Sequence, residues 1–320
     1  MIPSKARDVR IKRTAARSSL CAVILLTLGA ARSRAAVSGT EGASFLDIPV
    51  GGRPAALGGA YTALASDAYA PVYNAGGLAF VPTAQLSGMH LDFAGMGGYE
   101  FVSFVHPFGA LDGLGVSAQY FHADVTNALD ANANPIGSVS SHYGAYSLAY
   151  GHGVTENFSL GAALKVIDAR IADVSASAVA GDAGALYRVN ERLTLAAAAA
   201  NLGGRLKFLQ QGDRLPEEYR AGILYSPLPS LSLVTDAAYD RTGLFSGRFG
   251  AEWRPVGMIA LRAGYRTQTT QQLSPIAGLT TGVGLQVFGQ RFDYAWVPLG
   301  DLGQTQYFSI VLTFGKRHGA

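Results

Sequence analysis

The sequence is poor in cysteine, in charge and in long apolar runs. Cys21 is the single cysteine among 320 residues, and one thiol cannot form an internal disulfide. Charged residues make up 15% of the chain, against about 25% in a typical soluble domain. No apolar run reaches the roughly 20 residues of a transmembrane helix. A hydrophobic content of 49% without such a run indicates a membrane β-barrel rather than a helical membrane protein.

The motifs of nucleotide, metal and hydrolase sites are absent as well. Gly51-Gly52 and Gly58-Gly59 fit neither Gly-x-Gly-x-x-Gly nor a Gly-Lys-Ser/Thr ending. The six histidines show no metal-ligand spacing, and no Gly-x-Ser-x-Gly marks a nucleophilic serine. His90 and Asp92 share one face of a predicted strand and could hydrogen-bond as a base and its orienter, but a lumenal or interfacial pair is favoured. We therefore predict no enzyme activity, no metal and no cofactor.

The first 36 residues have the pattern of a secretory signal. A run of basic residues precedes the 12-residue apolar stretch Leu20–Ala31, and Ser33 and Ala35 offer a small-residue cleavage site. Twelve residues are too short to cross a hydrocarbon core about 30 Å thick. Removal of 1–36 would take eight basic residues and one acidic residue, leaving 17 basic and 21 acidic. An acidic mature chain argues against nucleic acid as a partner.

From about Gln85 onward, apolar and polar residues alternate with the period of two that is typical of strands. In "LGVSAQYFHA", for example, Leu114, Val116 and Tyr120 share one face, whereas Ser117 and Gln119 share the other. Fourteen such segments are predicted, an even number as bacterial barrels require: 84–92, 98–106, 113–123, 141–151, 157–168, 178–188, 192–201, 217–226, 231–240, 246–254, 258–267, 277–288, 290–298 and 305–314.

The connections and face compositions favour an outer-membrane antiparallel β-barrel over residues 84–314. Connections such as 153–157 are tight, whereas 124–141 and 202–216 are long and polar; short ones should face the periplasm. A soluble β-sandwich or propeller, the alternative fold, would keep its outward face charged. Here the polar face is mostly Gly, Ser and Ala, and aromatic residues recur near strand ends.

Charged residues on the polar faces of the later strands are predicted to point into the lumen. An arginine facing lipid near the bilayer midplane would cost about 2–4 kcal/mol, so the lumen is the physical default. A network that braces the wall is favoured over a path that guides a solute. The principal members of this set are Arg220, Arg248, Glu252, Arg254, Arg262, Arg266 and Asp293, and Asp182, Arg188 and Asp236 share the pattern.

The stretch "GTEGASFLDIPVGGRPAALGGAYTALASDAYAPVYNAGGLA" (39–79) resembles the N-terminal signature of the PorV/PorQ family of outer-membrane proteins, within the FadL-type group of fourteen-stranded barrels. The ending 292–314 resembles the closing hairpin of that family, and 201–204 and 215–225 resemble its mid-chain landmarks. One departure is that the family pattern Asn-Pro-Ala-Gly-Leu reads Asn74-Ala75-Gly76-Gly77-Leu78 in this sequence, so the proline is missing. The matching residues of the signature are Phe45, Leu46, Gly51, Arg53, Gly58, Gly59, Ala60, Tyr61, Asp67, Asn74, Gly77 and Leu78.

The resemblance implies that residues 37–83 form a plug inside the barrel, anchored by Arg53, Asp67 and Asn74. It implies passive transport of small hydrophobic solutes across the outer membrane of a Gram-negative bacterium, with outer-membrane lipid and such a solute as partners. The alternative that it implies is a non-enzymatic accessory of type IX protein secretion, with secretion-machinery or cargo proteins as partners. Residues 315–320 are expected to form a short tail after the last strand.

Overall fold

A computed structural model describes residues 41–93, 95, 97–129, 134–208, 211–267, 275–299 and 303–315. The predicted signal at 1–36, the first residues of the predicted plug and most of the tail lie outside the described residues.

Fourteen antiparallel strands form a closed barrel, in which the first strand pairs with the last. Each strand pairs with its sequence neighbour, except that Leu193–Gly203 pairs directly with Glu218–Leu228. The predicted antiparallel barrel of fourteen strands is confirmed, since each of the fourteen predicted segments overlaps one barrel strand. The strands are β1 (Ala84–Asp92), β2 (Gly98–Phe108), β3 (Asp112–Leu129), β4 (Pro135–Gly153), β5 (Phe158–Ile171), β6 (Val174–Asn190), β7 (Leu193–Gly203), β10 (Glu218–Leu228), β11 (Leu231–Asp240), β12 (Phe245–Val256), β13 (Ile259–Arg266), β14 (Leu279–Val287), β15 (Gln290–Pro298) and β16 (Gln304–Phe314).

The two ends of the barrel differ in their connections. At one end, the short-turn end, tight turns such as 109–111 and 191–192 join the strands; the other end, the long-connection end, carries segments such as 204–217. Two predicted loops differ from the structure. Most of 124–141 is strand, because β3 continues to Leu129 and β4 begins at Pro135. The predicted loop 202–216 contains a hairpin of β8 (Arg205–Phe208) and β9 (Gln211–Arg214), which pair with each other.

The outward face of the barrel is apolar and its inward face is polar, the opposite of the arrangement in a soluble sheet protein. Leu148, Leu164 and Val179 are more than half exposed on the outward face. Lys165 and Glu252, by contrast, are almost fully buried on the inward face. This arrangement suits a wall with an apolar environment outside and a polar interior.

His90 lies on the outward face, and its predicted pairing with Asp92 is wrong. The imidazole Nδ1 of His90 lies 2.6 Å from a carboxylate oxygen of Glu100, its cross-strand neighbour on β2. Asp92 instead accepts a hydrogen bond from the Gly95 backbone N–H. The cross-strand partner is closer than the partner two residues along the same strand, which is why the alternation pattern missed it.

Residues 41–83, the N-terminal segment, contain short helices joined by turns. The helices are Ser44–Asp47, Gly52–Ala56, Ala70–Tyr73 and Ala75–Phe80. None of the helices in the described part of the chain is long and apolar enough to cross a membrane.

An arginine at Leu164 tests the assignment of the outward face to lipid. Leu164 is 58% exposed near the middle of β5, so Leu164→Arg should destabilise the barrel in phospholipid vesicles by about 2–4 kcal/mol, measured by urea titration. The control Val154→Arg lies in a turn at the short-turn end and should cost less than about 1 kcal/mol. Equal costs at the two positions would contradict a lipid-facing wall.

Candidate functional site

The N-terminal segment is almost entirely buried against the inward faces of the strands. From Val50 to Ala79 only Leu64, Ser66 and Val72 are partly exposed, and the rest are buried. The Gly52–Ala56 helix contacts β13 to β16, whereas the Ala75–Phe80 helix contacts β2 to β6. The segment therefore touches the wall on opposite sides of the barrel.

Glycines in the wall allow this close approach. An ideal Cβ on Gly264 of β13 would lie 2.2 Å from the backbone nitrogen of Gly58, and one on Gly161 of β5 would lie 2.3 Å from the carbonyl carbon of Ala75. Gly58 itself adopts a φ of +67°, a conformation that favours glycine. Any side chain at these wall positions would push the segment away from the strands.

A closed ring of six charged side chains joins the N-terminal segment to the wall. Arg53 makes a bidentate pair with Glu252 of β12, at 2.8 and 2.9 Å. Glu252 also accepts from Arg262 of β13 at 2.6 Å. We call this set the ion ring; in order round the ring, its members are Arg53, Glu252, Arg262, Asp293, Arg291 and Asp67.

The second half of the ring returns to the segment through β15. Arg262 donates to Asp293 at 2.8 Å, and Arg291 donates to Asp293 and to Asp67, at 2.9 Å each. Asp67 closes the ring on Arg53, at 3.7 Å. Three guanidinium groups and three carboxylates alternate, so the buried ring is neutral and each charge has partners of opposite sign on both sides.

Tyr61 and Arg254 also contact members of the ring. The Tyr61 hydroxyl donates to Asp67 at 2.6 Å and accepts from Arg53 at 3.2 Å. Burial raises the pKa of Tyr61 well above its usual value, so the phenol remains a donor. Burial by itself would lower the pKa of Arg53, but the adjacent Glu252 carboxylate more than offsets this and raises it. Arg254, whose side chain is 46% exposed, donates to Glu252 at 2.6 Å.

A single carboxylate, that of Asp236 on β11, holds a second point of the segment. One of its oxygens accepts from the backbone N–H groups of Tyr61 and Thr62, at 2.9 and 3.0 Å, and from the Thr62 hydroxyl at 2.7 Å. Asp236 is 1% exposed. The carboxylate thus satisfies backbone donors that would otherwise be buried without a partner.

Asn74 links two parts of the N-terminal segment to β6. Its side-chain amide donates to the carbonyls of Thr62 and Ala185, at 3.1 and 3.0 Å, and its oxygen accepts from the Gly76 N–H at 3.0 Å. The last bond caps the Ala75–Phe80 helix. The Asn74 side chain therefore stabilises the turn before this helix, although the proline that follows the asparagine in the PorV/PorQ pattern is replaced by Ala75.

Within the described part of the chain, inward charges line a cavity towards each end of the barrel. Towards the long-connection end, a cavity of about 40 Å³ is lined by charged residues that include Arg220, Arg248 and Arg266. Arg248 and Arg220 both pair with Glu218, Arg220 also donates to the Tyr73 carbonyl at 3.1 Å, and Arg266 donates to the Asp47 carbonyl. Towards the short-turn end, a cavity of about 330 Å³ is lined by Arg254, Arg262 and Arg291.

The predicted lumenal charges therefore lie in two groups. Glu252, Arg254, Arg262 and Asp293 belong to the ion ring or contact it, whereas Arg220, Arg248 and Arg266 surround the smaller cavity. Sequence reasoning missed Arg291, although it lies two residues from Asp293 and so on the same face. It also missed Lys165, which contacts Asp182 at 3.0 Å and Asn201 at 2.6 Å. No group of His, Cys, Asp or Glu side chains within the described ranges could hold a metal ion.

Solved structures with the same fold are channels and transporters. The CymD monoaromatic hydrocarbon channel superposes with a TM-score of 0.62 at 14% identity, over 85% of this chain and 99% of its own. The Ralstonia pickettii toluene transporter TbuX gives 0.59 at 14% identity, over 84% and 98%. A Pseudomonas aeruginosa FadL homologue gives 0.57 at 15% identity, over 81% and 97%. At these identities the likeness establishes the fold, that of FadL-type barrels.

No curated protein is significantly similar to this sequence. A family profile does match residues 18–190, which is more than half of the chain and extends to the end of β6. The matched stretch includes Arg53, Asp67 and Asn74, three of the residues through which the N-terminal segment contacts the wall. The chain is therefore a member of the uncharacterised protein family UPF0164.

Proposed function

We infer that this protein is an outer-membrane channel for the passive passage of small hydrophobic solutes, and that its N-terminal segment acts as a plug. The observation that carries the proposal is a barrel of FadL-type fold whose interior is occupied by a segment bound through polar and ionic contacts. The solved relatives include a toluene transporter and a monoaromatic hydrocarbon channel, which suggests the class of solute.

The closed interior argues against an open porin. The cavity towards the long-connection end has a volume of only about 40 Å³, close to that of a single water molecule. A hydrophilic solute would need a continuous aqueous path past the N-terminal segment, which is largely buried among the inward faces of the strands. A hydrophobic solute could instead pass when the plug shifts, because Gly and Ala surfaces offer few polar groups that would hold it.

Uptake into vesicles tests the proposal. Purified protein in vesicles whose outer leaflet is lipopolysaccharide should accelerate the entry of radiolabelled toluene severalfold over protein-free vesicles, and should leave the entry of sucrose unchanged. A lipopolysaccharide leaflet is needed because toluene crosses phospholipid bilayers without help. Equal acceleration of both solutes would indicate a general pore, and acceleration of neither would contradict the transport proposal.

The secretion alternative rests on the sequence resemblance to the PorV/PorQ family. A shuttle or attachment component needs an exposed docking surface on the outer loops and a machinery to serve. The inexpensive observation is whether the source genome encodes type IX secretion components, since their absence would exclude this role. Co-purification of secreted cargo with the barrel, together with absence of toluene uptake, would favour it over transport.

A further inference from the structure

We propose that the outside of the barrel carries a binding site for the acylated aminosugar of lipopolysaccharide. The site is a pocket of about 350 Å³ on the outward faces of β3, β4, β5 and β6, towards the long-connection end, and we call it the sugar pocket. Sites for small molecules commonly measure about 300–1,000 Å³. The site requires that the long-connection end faces outwards, but it does not require transport.

The sugar pocket lies where the outward face changes from apolar to polar. Outward positions on neighbouring strands form rows across β4, β5 and β6, and successive rows lie about 7 Å apart because they differ by two residues along each strand. The face becomes polar within one such step, which is the level at which acyl chains give way to head groups. Towards the long-connection end, the rows are Tyr146, Val166 and Val179, then Gly144, Asp168 and Ser177, then His142, Arg170 and Ser175.

The order of these rows matches the order of groups in lipopolysaccharide. Its acyl chains would lie against Val166 and Val179, which are exposed on the wall. The amide and hydroxyl groups at the junction between the chains and the aminosugar would reach Asp168 one row above, and the sugar ring with its phosphate would face Arg170. A carboxylate accepts from N–H and O–H groups, whereas a guanidinium donates to hydroxyl and phosphate oxygens.

Both charged side chains of the pocket are available to a ligand. Asp168 and Arg170 are exposed, and among the described residues the Asp168 carboxylate has no partner in a hydrogen bond or ion pair. Arg170 donates through Nε to the Ala172 carbonyl at 3.2 Å, which leaves its terminal nitrogens for a ligand. One positive and one negative charge suit a sugar that has both donors and acceptors better than they suit a simple anion.

Two tyrosine rings line the pocket on the side away from β6. The Tyr120 hydroxyl lies 2.8 Å from Nδ1 of His142, and the two rings stack with 16° between their planes. Tyr146 extends from the apolar row towards Gly144, where an ideal Cβ would lie 3.0 Å from the Tyr146 hydroxyl oxygen. Because Gly144 has no side chain, the space between the tyrosines and Asp168 stays open. The C–H face of a sugar ring can pack on such rings, and a ring already held in place loses little freedom on binding.

Counting bound lipids by native mass spectrometry tests the site. The refolded barrel in lauryldimethylamine oxide, a detergent without sugar, is titrated with lipid A, the acylated and phosphorylated aminosugar part of lipopolysaccharide. We expect one lipid A to bind at least about tenfold more tightly than phosphatidylglycerol, which has a phosphate and acyl chains but no aminosugar; tenfold is equivalent to 1.4 kcal/mol. Equal binding of the two lipids, or lipid A adducts without a tight first one, would overturn the proposal. Displacement of lipid A by equimolar glucosamine 1-phosphate would also overturn it, since the ligand would then be a free sugar.

Matched glycine substitutions separate the pocket from the general lipid-facing surface. Gly144→Leu should fill the open space and weaken lipid A binding at least about tenfold. Gly88→Leu is the control: Gly88 on β1 has room for a side chain, with its nearest neighbour at 3.7 Å, but lies outside the pocket and should bind as the parent does. Heat-dependent gel mobility verifies folding of both variants. Equal loss in the two, or no loss in Gly144→Leu, would contradict the site.

The direction of the effect at Asp168 distinguishes a sugar contact from attraction to phosphate alone. Asp168→Ala should weaken lipid A binding severalfold, because the amide and hydroxyl groups of the sugar lose their acceptor. Asp173→Ala removes the same charge from the turn between β5 and β6, outside the pocket, and should leave binding unchanged. Tighter binding by Asp168→Ala would show that the pocket recognises only the phosphate charge. That result, or unchanged binding, would overturn the assigned sugar contact, whatever the result of the toluene uptake measurement.

Discussion

Replacing Arg53 with alanine is expected to release the N-terminal segment from the wall and open the barrel to ions. Arg53 is 7% exposed and contributes the bidentate contact that joins the segment to β12. Removing one partner of a buried pair typically costs about 3–5 kcal/mol. Glu252 would keep Arg262 and Arg254 as partners, so we expect the lower part of this range, about 3 kcal/mol. That corresponds to roughly a hundredfold increase in the open population.

Ion conductance across planar bilayers, together with protease cleavage within 41–83, measures this effect. Arg241→Ala is the control, because it removes an ion pair with Glu217 at the long-connection end and should change conductance little. Arg53→Lys should fall between the parent and Arg53→Ala, since lysine keeps the charge but not the bidentate geometry. If Arg53→Ala stays as closed and as protease-resistant as Arg241→Ala, the ion ring does not hold the segment.

The ion ring explains why so many charges are tolerated inside a barrel of low overall charge. A buried ion is costly unless its partners satisfy it on several sides. Asp293 receives Arg262 and Arg291 on its two oxygens, and Asp67 receives Arg291 and the Tyr61 hydroxyl. Removing the whole N-terminal segment would take Arg53 and Asp67 from the ring and leave Glu252 and Arg291 each with one partner fewer, which couples the position of the segment to the stability of the ring.

The strands could be predicted from the sequence because their inward and outward positions differ so strongly. In β3, for example, the apolar Leu114 and Val116 alternate with the polar face that carries Ser117 and Gln119. The observed bounds of β1, β11 and β15 are identical to the predicted ones. The pattern failed between 124 and 141, where the sequence shows no regular alternation of apolar and polar residues. Beyond the apolar part of the wall, nothing requires one face to be hydrophobic, so the alternation that marks a strand is lost.

The inward direction of the charges could also be predicted, but their partners could not. Alternation assigns Glu252 and Arg262 to the lumen, but it cannot place Arg53 beside Glu252, since 199 residues separate the two in sequence. That contact depends on the path of the N-terminal segment through the interior. The segment has no periodicity of its own, because small residues and turns fill a space shaped by the wall.

Locking the segment to the wall is expected to have the second large effect, a loss of solute passage. Gly52 and Ser309 of β16 are suitable positions, since the Gly52 N–H donates to the Ser309 hydroxyl at 2.9 Å and an ideal Cβ on Gly52 lies 3.1 Å from that oxygen. Cysteine thiols at these two positions lie close enough to form a disulfide. The backbone at position 52 would have to shift slightly, because an ideal Cβ there lies only 2.9 Å from the carbonyl oxygen of Asp293. Removal of Cys21 with the predicted signal would leave no competing thiol.

The most direct measurement is toluene uptake by the Gly52→Cys/Ser309→Cys double variant before and after reduction. We predict that the oxidised protein does not accelerate uptake and that reduction restores the parent rate, while each single variant behaves alike under both conditions. Gel mobility confirms that the disulfide has formed. Equal uptake by the oxidised and reduced protein would show that solutes pass without the segment leaving β16, and would contradict a gating plug.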